Sequence, residues 1–123
     1  MTAATIAPWL SVRDAGLAVE FYRQALGAIV RHYMEDEGVL QVAQMSIQDA
    51  PFWVQRDDDL PVNTDPGRAV RMIILNDDPD IMFARALDAG ATQIAPVHEE
   101  HGWRTGRIAD PFGHQWEFAR HDE

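Results

Sequence analysis

One stretch near the end of the chain decides the fold, Asp110-Pro111-Phe112-Gly113-His114-Gln115-Trp116-Glu117-Phe118. Its first four residues follow the preferences of a type I turn, with Asp first, Pro second and Gly fourth. The residues after the turn alternate in polarity, which is typical of a strand. With a side-chain period of two, Trp116 and Phe118 share one face of that strand, and Gln115, Glu117 and Ala119 share the other. We therefore expect an aromatic face that packs in a core and an opposite face that presents one carboxylate.

Working outward, the length and composition of the chain exclude several classes of protein. With 123 residues, of which 46% are hydrophobic and 24% charged, the sequence is typical of one globular domain, here residues 1–123. It contains no run of about 18 apolar residues and no basic and apolar leader, so we expect neither a membrane span nor secretion. Cysteine is absent, which excludes disulfides and thiolate sites and fits a cytoplasmic protein.

The charge of the chain bears on its partners. Twenty acidic side chains against ten basic ones give a net charge of −10. A negative field of this size repels phosphate backbones and anionic lipid heads. We therefore expect no nucleic-acid or membrane partner. The acidic surface favours solubility, and the alternative is a role in attracting cationic ligands.

The chain repeats one order of elements twice. The patterns predict a strand, a helix and three strands at 5–12, 15–26, 28–33, 39–47 and 52–55, and then again at 69–75, 79–90, 92–97, 103–108 and 115–119. Asp14 and Asp78 are the predicted N-caps of the two helices. The prediction is an α+β fold of two βαβββ modules, about 5–57 and 68–121, joined by an acidic linker at 58–67. Because neither module can bury a sheet face alone, we expect an incomplete barrel around a concave cavity.

These patterns resemble a known family. The segments LSVRDAGLAVEFYRQALGA, NDDPDIMFARALDAGA and GWRTGRIADPFGHQWEF, which span most of the chain, are similar to those of the vicinal oxygen chelate superfamily. That superfamily includes glyoxalase I, extradiol dioxygenases and bleomycin-resistance proteins, and the last segment is most similar to the PhnB-like subgroup. The resemblance implies the fold rather than one activity, because the fold hosts lyases, dioxygenases, epimerases and non-catalytic binders.

The resemblance also implies four metal-ligand positions, on the first and last strand of each module. They fall near Ala7, within 53–56 with Gln55 as the best candidate, at Val70 or Arg71, and at Glu117. Only Glu117 matches the ligand of the family. Alanine, valine and arginine do not bind divalent cations, and one or two weak oxygen ligands do not hold such an ion. We therefore predict no metal site and no cofactor.

Several side chains are candidates for a ligand site in the cavity, namely Trp53, Gln55, Arg71, Trp103 and Glu117. Aromatic rings on a concave face suit a flat organic ligand, although packing in the core explains each Trp as well. Arg71 stands in an otherwise apolar strand, so either its face of the strand is exposed or it points toward Glu117 or an anionic ligand. His98 and His101, with Glu99 and Glu100 between them, are expected to form a solvated loop.

The leading hypothesis is a metal-independent protein that holds a small organic molecule in the barrel cavity. The alternative is a lyase or isomerase of the glyoxalase type, in which Glu117 is the general base with or without a divalent metal. Binding is preferred because only Arg71 offers to stabilise developing negative charge. The sheet edges of the two modules need a partner, and the similar families pair modules within or between chains. Both points predict a homodimer.

Overall fold

A computed structural model describes residues 5–60 and 70–121 and contains the predicted order of elements. The first half consists of β1 Trp9–Val12, α1 Ala15–Leu26, β2 Ile29–Asp36, β3 Val39–Ile47 and β4 Ala50–Arg56. The second half consists of β5 Met72–Leu75, α2 Pro79–Asp88, β6 Thr92–Glu100, β7 Trp103–Ala109 and β8 Gln115–His121. The α+β prediction with two βαβββ modules is confirmed.

The two sheets have the same topology. Their strand orders are β1-β4-β3-β2 and β5-β8-β7-β6. In each sheet the first strand of the module pairs parallel to the last strand, and the remaining pairs are antiparallel. Because β8 lies between β5 and β7, a side chain on β8 has neighbours from both strands within its own module.

Both helices begin as their sequences predict. The side chain of Asp14 accepts a hydrogen bond from the Leu17 amide at 3.0 Å, and the side chain of Asp78 accepts one from the Ile81 amide at 3.2 Å. The first helix ends at Gly27, whose φ of 68° is left-handed, as predicted. The second helix ends at Asp88, before the predicted Gly90.

The chain divides into two compact units that follow the two modules. In the first unit, Tyr22 of α1 packs edge-on against Phe52 of β4, with ring centroids 5.5 Å apart. In the second unit, Phe83 of α2 packs over Gly106 of β7, where an added Cβ would lie 2.9 Å from the Phe83 ring. Trp116 and Phe118 are buried, so the aromatic face predicted for the last strand is confirmed.

The turn before β8 is built around the carboxylate of Asp110. Its Oδ1 accepts from the amides of Phe112 and His114, both at 2.9 Å, and its Oδ2 accepts from Trp116 Nε1 at 2.9 Å. The Gly113 amide also donates to the Asp110 carbonyl at 3.3 Å, as in the predicted type I turn. Asp110 is only 5% exposed, so these bonds join the turn to the core face of β8.

Several element boundaries differ from the sequence-based prediction. β1 begins at Trp9 rather than at residue 5, directly after Pro8, which has no amide to donate. The predicted loop at 98–101 is wrong, because β6 continues to Glu100 and pairs with β7 through His98, Glu99 and Glu100. Most of the predicted linker, together with residue 69 of the predicted fifth strand, lies outside the described residues.

Candidate functional site

Glu117 lies in the middle of β8, with Ile73 of β5 and Arg107 of β7 as its register partners. Because Trp116 and Phe118 fill the core face, Glu117 points to the opposite face, as alternation predicted. Its side chain is 18% exposed. A carboxylate this sheltered needs hydrogen-bond donors or a counter-ion around it.

Both oxygens of the Glu117 carboxylate are engaged. Oε1 forms an ion pair with Arg71 Nε at 3.1 Å, and Oε2 accepts a hydrogen bond from Thr105 Oγ1 at 2.5 Å. The sequence left two orientations open for Arg71, and the structure places it against Glu117 with its side chain 43% exposed. The two bonds orient the carboxylate and balance its charge.

A cavity of about 140 Å³ opens in front of this group within the second unit. Its lining contains both signs of charge: Arg71, Ala95, His98, Glu100, Thr105, Gly106, Arg107 and Glu117. The cavity lies over the sheet face that carries Thr105, Arg107 and Glu117. Its dimensions suit a small organic molecule, or the polar part of a larger one, rather than a macromolecule.

Arg107 is the unusual member of this lining. Its Nε is buried and meets no hydrogen-bond acceptor among the described residues. Arg107 and Glu117 are register partners, yet the carboxylate of Glu117 bonds to Arg71 and Thr105 instead. Leaving a buried donor unsatisfied costs roughly 1–3 kcal/mol, and more for a charged group.

His98 adds a titratable group to the cavity. Its Nδ1 lies 2.8 Å from the Pro96 carbonyl, and its Nε2 lies 3.5 Å from the Glu100 carboxylate. The hydrogen bond to Pro96 comes first, and Glu100 and Glu117 add to it, so the pKa of His98 is raised above its ordinary value of 6.5. The cavity therefore gains positive charge as the pH falls toward the acidic side of neutrality.

The corresponding face of the first unit has different chemistry. Trp9 and Trp53 stack with ring centroids 5.8 Å apart and an interplanar angle of 27°, and Trp9 Nε1 donates to Gln55 Oε1 at 2.8 Å. Phe52 and Val54 are buried on the core side, so Trp53 and Gln55 belong to the other face of β4. Half of Trp9 is exposed, at 52%.

The structure brings some candidates together within each unit. Arg71 joins Glu117 in the second unit, and Trp53 joins Gln55 in the first. Trp103 is the first residue of β7, and its ring contacts the ring of His121 at a centroid distance of 4.6 Å. Trp103 does not line the cavity.

Sequence reasoning missed four polar or charged residues that line the cavity, namely His98, Glu100, Thr105 and Arg107. A signal was present for two of them, because Thr105 and Arg107 share the strand face of Trp103 by simple alternation. His98 and Glu100 were missed because the sequence predicts a loop at 98–101.

The residues at the family's metal-ligand positions do not fit a divalent cation. Ala7 has no donor atom, Arg71 carries a positive charge, and Gln55 accepts from Trp9. Glu117 is already held by Arg71 and Thr105. Among residues 5–60 and 70–121, no three His, Cys, Asp or Glu side chains converge as a metal would require.

Comparison with known proteins identifies the family. The model of the glyoxalase-like domain matches residues 8–119. This chain belongs to the glyoxalase-like family, within the vicinal oxygen chelate superfamily. An uncharacterized protein of Mycobacterium bovis is 33% identical over 126 residues, which cover 94% of this chain and 82% of that protein.

Solved structures support the same fold. TioX from Micromonospora sp. ML1 superposes with a TM-score of 0.79 at 24% identity and covers 97% of this chain and 99% of its own. The PhnB protein from Bacillus cereus has a TM-score of 0.75 at 15% identity and covers 95% and 99%. Structural similarity at these levels of sequence identity supports the fold but does not indicate the activity.

A helix that crosses a membrane needs about 20 predominantly apolar residues in succession. Neither described helix is long and apolar enough to cross a bilayer.

Proposed function

We propose that this glyoxalase-like protein binds a small organic molecule without a metal ion, and that the cavity of the second unit holds the polar part of the ligand. The observation that carries the proposal is the cavity in front of Glu117, whose carboxylate is fixed by Arg71 and Thr105. Fixed polar groups around a small concavity are the usual means by which a protein orients a ligand.

Binding is favoured over catalysis by the state of Glu117. A general base must present its oxygen to the proton that it removes. Here Oε1 is in an ion pair with Arg71 and Oε2 accepts a hydrogen bond from Thr105, so neither oxygen is free to take a proton from a ligand. The lyase or isomerase alternative would require one of these bonds to be given up before the reaction.

The proposal is tested by a screen followed by a matched pair of variants. Compounds from a small-molecule library that raise the melting temperature in the presence of EDTA are titrated by calorimetry into wild-type protein, Glu117→Gln and Glu99→Gln. Glu99 is exposed on β6 and does not line the cavity, so its variant makes the same chemical change elsewhere. We expect Glu117→Gln to change the affinity at least tenfold, because it removes a charge from the cavity and releases Arg71, and Glu99→Gln to leave the affinity unchanged.

Two results would contradict the proposal. Hits that bind Glu117→Gln as tightly as the wild type would show that the cavity is not the site. Hits that bind only after a divalent metal is added would contradict metal independence.

We propose that the protein partner of this chain is a second copy of the same chain. β2 forms an edge of its sheet, and every residue from Ile29 to Asp36 is exposed, including Tyr33 at 66% and Met34 at 58%. An exposed apolar edge of this kind favours a protein partner. Sedimentation should report a homodimer at tens of micromolar, and a stable monomer would refute the expectation.

A further inference from the structure

The guanidinium of Arg107 has a donor, its buried Nε, that the described residues do not use. Its Nε faces no acceptor, although the other charged groups of the cavity have partners. Arg71 is paired with Glu117, and His98 lies beside Glu100. Arg107 also lines the cavity without a carboxylate counter-ion among the described residues. Polar and charged groups at buried positions are paired in nearly all folded proteins, so this arginine favours an acceptor that comes from outside the chain.

The geometry points to the carboxylate of an organic acid as that acceptor, and we propose that the cavity binds such a group through Arg107. The planar guanidinium matches a carboxylate, which can accept two parallel hydrogen bonds. This inference deepens the proposed function and rests on it, because it names the chemical class of the ligand that the cavity takes.

The acidic residues of the cavity select among anions. Glu117 and Glu100 both line it, alongside Arg71, Arg107 and His98. Two carboxylates offset the two guanidinium groups, so the lining carries at most one net positive charge, that of His98. A monoanion balances this charge, and a dianion such as phosphate exceeds it. Neutral amides would leave the Arg107 charge without a counter-ion. A monoanionic carboxylate is the best match to this balance.

The dimensions of the cavity suggest the probe. A cavity of about 150 Å³ accepts a benzene ring in other proteins, and the present one measures about 140 Å³. Benzoate fits this volume and carries one carboxylate. Benzamide has nearly the same shape without the charge, and inorganic phosphate has the charge without the ring.

The first test uses the wild-type protein alone. Benzoate, benzamide and phosphate are titrated at equal ionic strength, by calorimetry or by ligand-observed NMR. We expect benzoate to bind at least tenfold more tightly than either of the others. Equal affinity for benzoate and benzamide would overturn the charge argument, and tighter binding of phosphate would overturn the choice of a monoanion.

The second test assigns the contact to Arg107. Loss of a charge-assisted hydrogen bond lowers affinity by roughly tenfold to a hundredfold, so Arg107→Gln should lower the affinity for benzoate by that factor. Arg107→Lys keeps the charge but not the planar fork, and an intermediate loss is expected. Arg23→Gln removes the same charge from an exposed position on α1 and is the control. Unchanged affinity in both Arg107 variants would overturn the assignment.

Failure of this inference can be told apart from failure of the proposed function. If neutral compounds bind in the cavity and their affinity changes in Glu117→Gln, while carboxylates do not bind, the cavity is the site and the ligand class is wrong. If neither class binds, both ideas fail together.

Discussion

The two modules of this chain have the same topology but opposite site chemistry. Trp9 lies two residues before the register partner of Gln55, and Arg71 lies two residues before the register partner of Glu117. Each pair is joined from a side-chain nitrogen to an amide or carboxylate oxygen, at 2.8 Å and 3.1 Å respectively. One pair is neutral and stacked on a second tryptophan, and the other is ionic and lies in a charged cavity.

The comparison shows that topology conserves positions while residue type decides their chemistry. The parallel pairing of first and last strands places two side chains within bonding distance in both modules. An indole with a primary amide makes an aromatic surface, whereas a guanidinium with a carboxylate makes a site that can orient a polar ligand. The first module therefore suits apolar contact, and the second module suits polar recognition.

The largest difference between the modules is expected in how much the turn before the last strand contributes to the free energy of unfolding. Asp110→Ala removes three hydrogen bonds from a buried carboxylate and should lower the free energy of unfolding by roughly 3–5 kcal/mol. Asp49, in the turn before β4, is exposed, so Asp49→Ala should cost less than about 0.5 kcal/mol. Urea denaturation measures both. Similar losses would mean that the two turns contribute equally.

The ionic pair of the second module should couple by about 1 kcal/mol. Arg71 is partly exposed, which reduces the value of its bond to Glu117. A double-mutant cycle of Arg71→Met and Glu117→Gln gives the coupling energy, and 1 M salt should reduce it by about half. A coupling of several kcal/mol that ignores salt would identify Glu117 as a structural ion-pair member rather than a site residue.

The neutral pair of the first module should couple more weakly. Trp9→Phe keeps the stacking partner of Trp53 but removes the indole N–H that Gln55 accepts. Because the indole is half exposed, the expected loss is about 0.5 kcal/mol, and added salt should leave it unchanged. Denaturation at low and high salt gives both numbers. A loss of stability that depends on salt would contradict the distinction between a neutral pair in the first module and an ionic pair in the second.

Only the second module should respond to pH through a histidine in its cavity. Since the pKa of His98 is raised above 6.5, its stabilising contribution is fully present below the ordinary pKa and is lost as the pH rises through the folded-state pKa. NMR titration of the ring should give a midpoint above 6.5, and His98→Gln should remove this component. A midpoint at or below 6.5 would contradict the hydrogen-bond arrangement with Pro96 and Glu100.

Metal ions should affect neither module. A ligand that binds only the native state at a hundredfold excess over its Kd stabilises by about 3 kcal/mol. Melting temperatures in EDTA, zinc, nickel and manganese should therefore agree within error. A clear rise with one ion would show that Gln55 or Glu117 gives up its present partner to coordinate it.

Sequence reasoning reached the elements of the fold because each depends on nearby residues. Asp14 and Asp78 begin their helices through bonds that span three residues. The Asp110 turn and the alternation of Trp116, Glu117 and Phe118 are equally local, and they orient Glu117 away from the core. The boundary at His98 was missed because polar residues on an edge strand look like a loop.

The candidate site depends on contacts between residues far apart in the chain. Arg71 and Glu117 are 46 positions apart and share a bond because β5 pairs parallel to β8 in one particular register. Alternation puts Arg107 on the face of Trp103, but only packing buries its Nε without an acceptor. Strand order and register are set by the burial of the whole sheet, so these contacts follow from the tertiary structure, whereas the local pattern of the chain specified the strands, helices and turns.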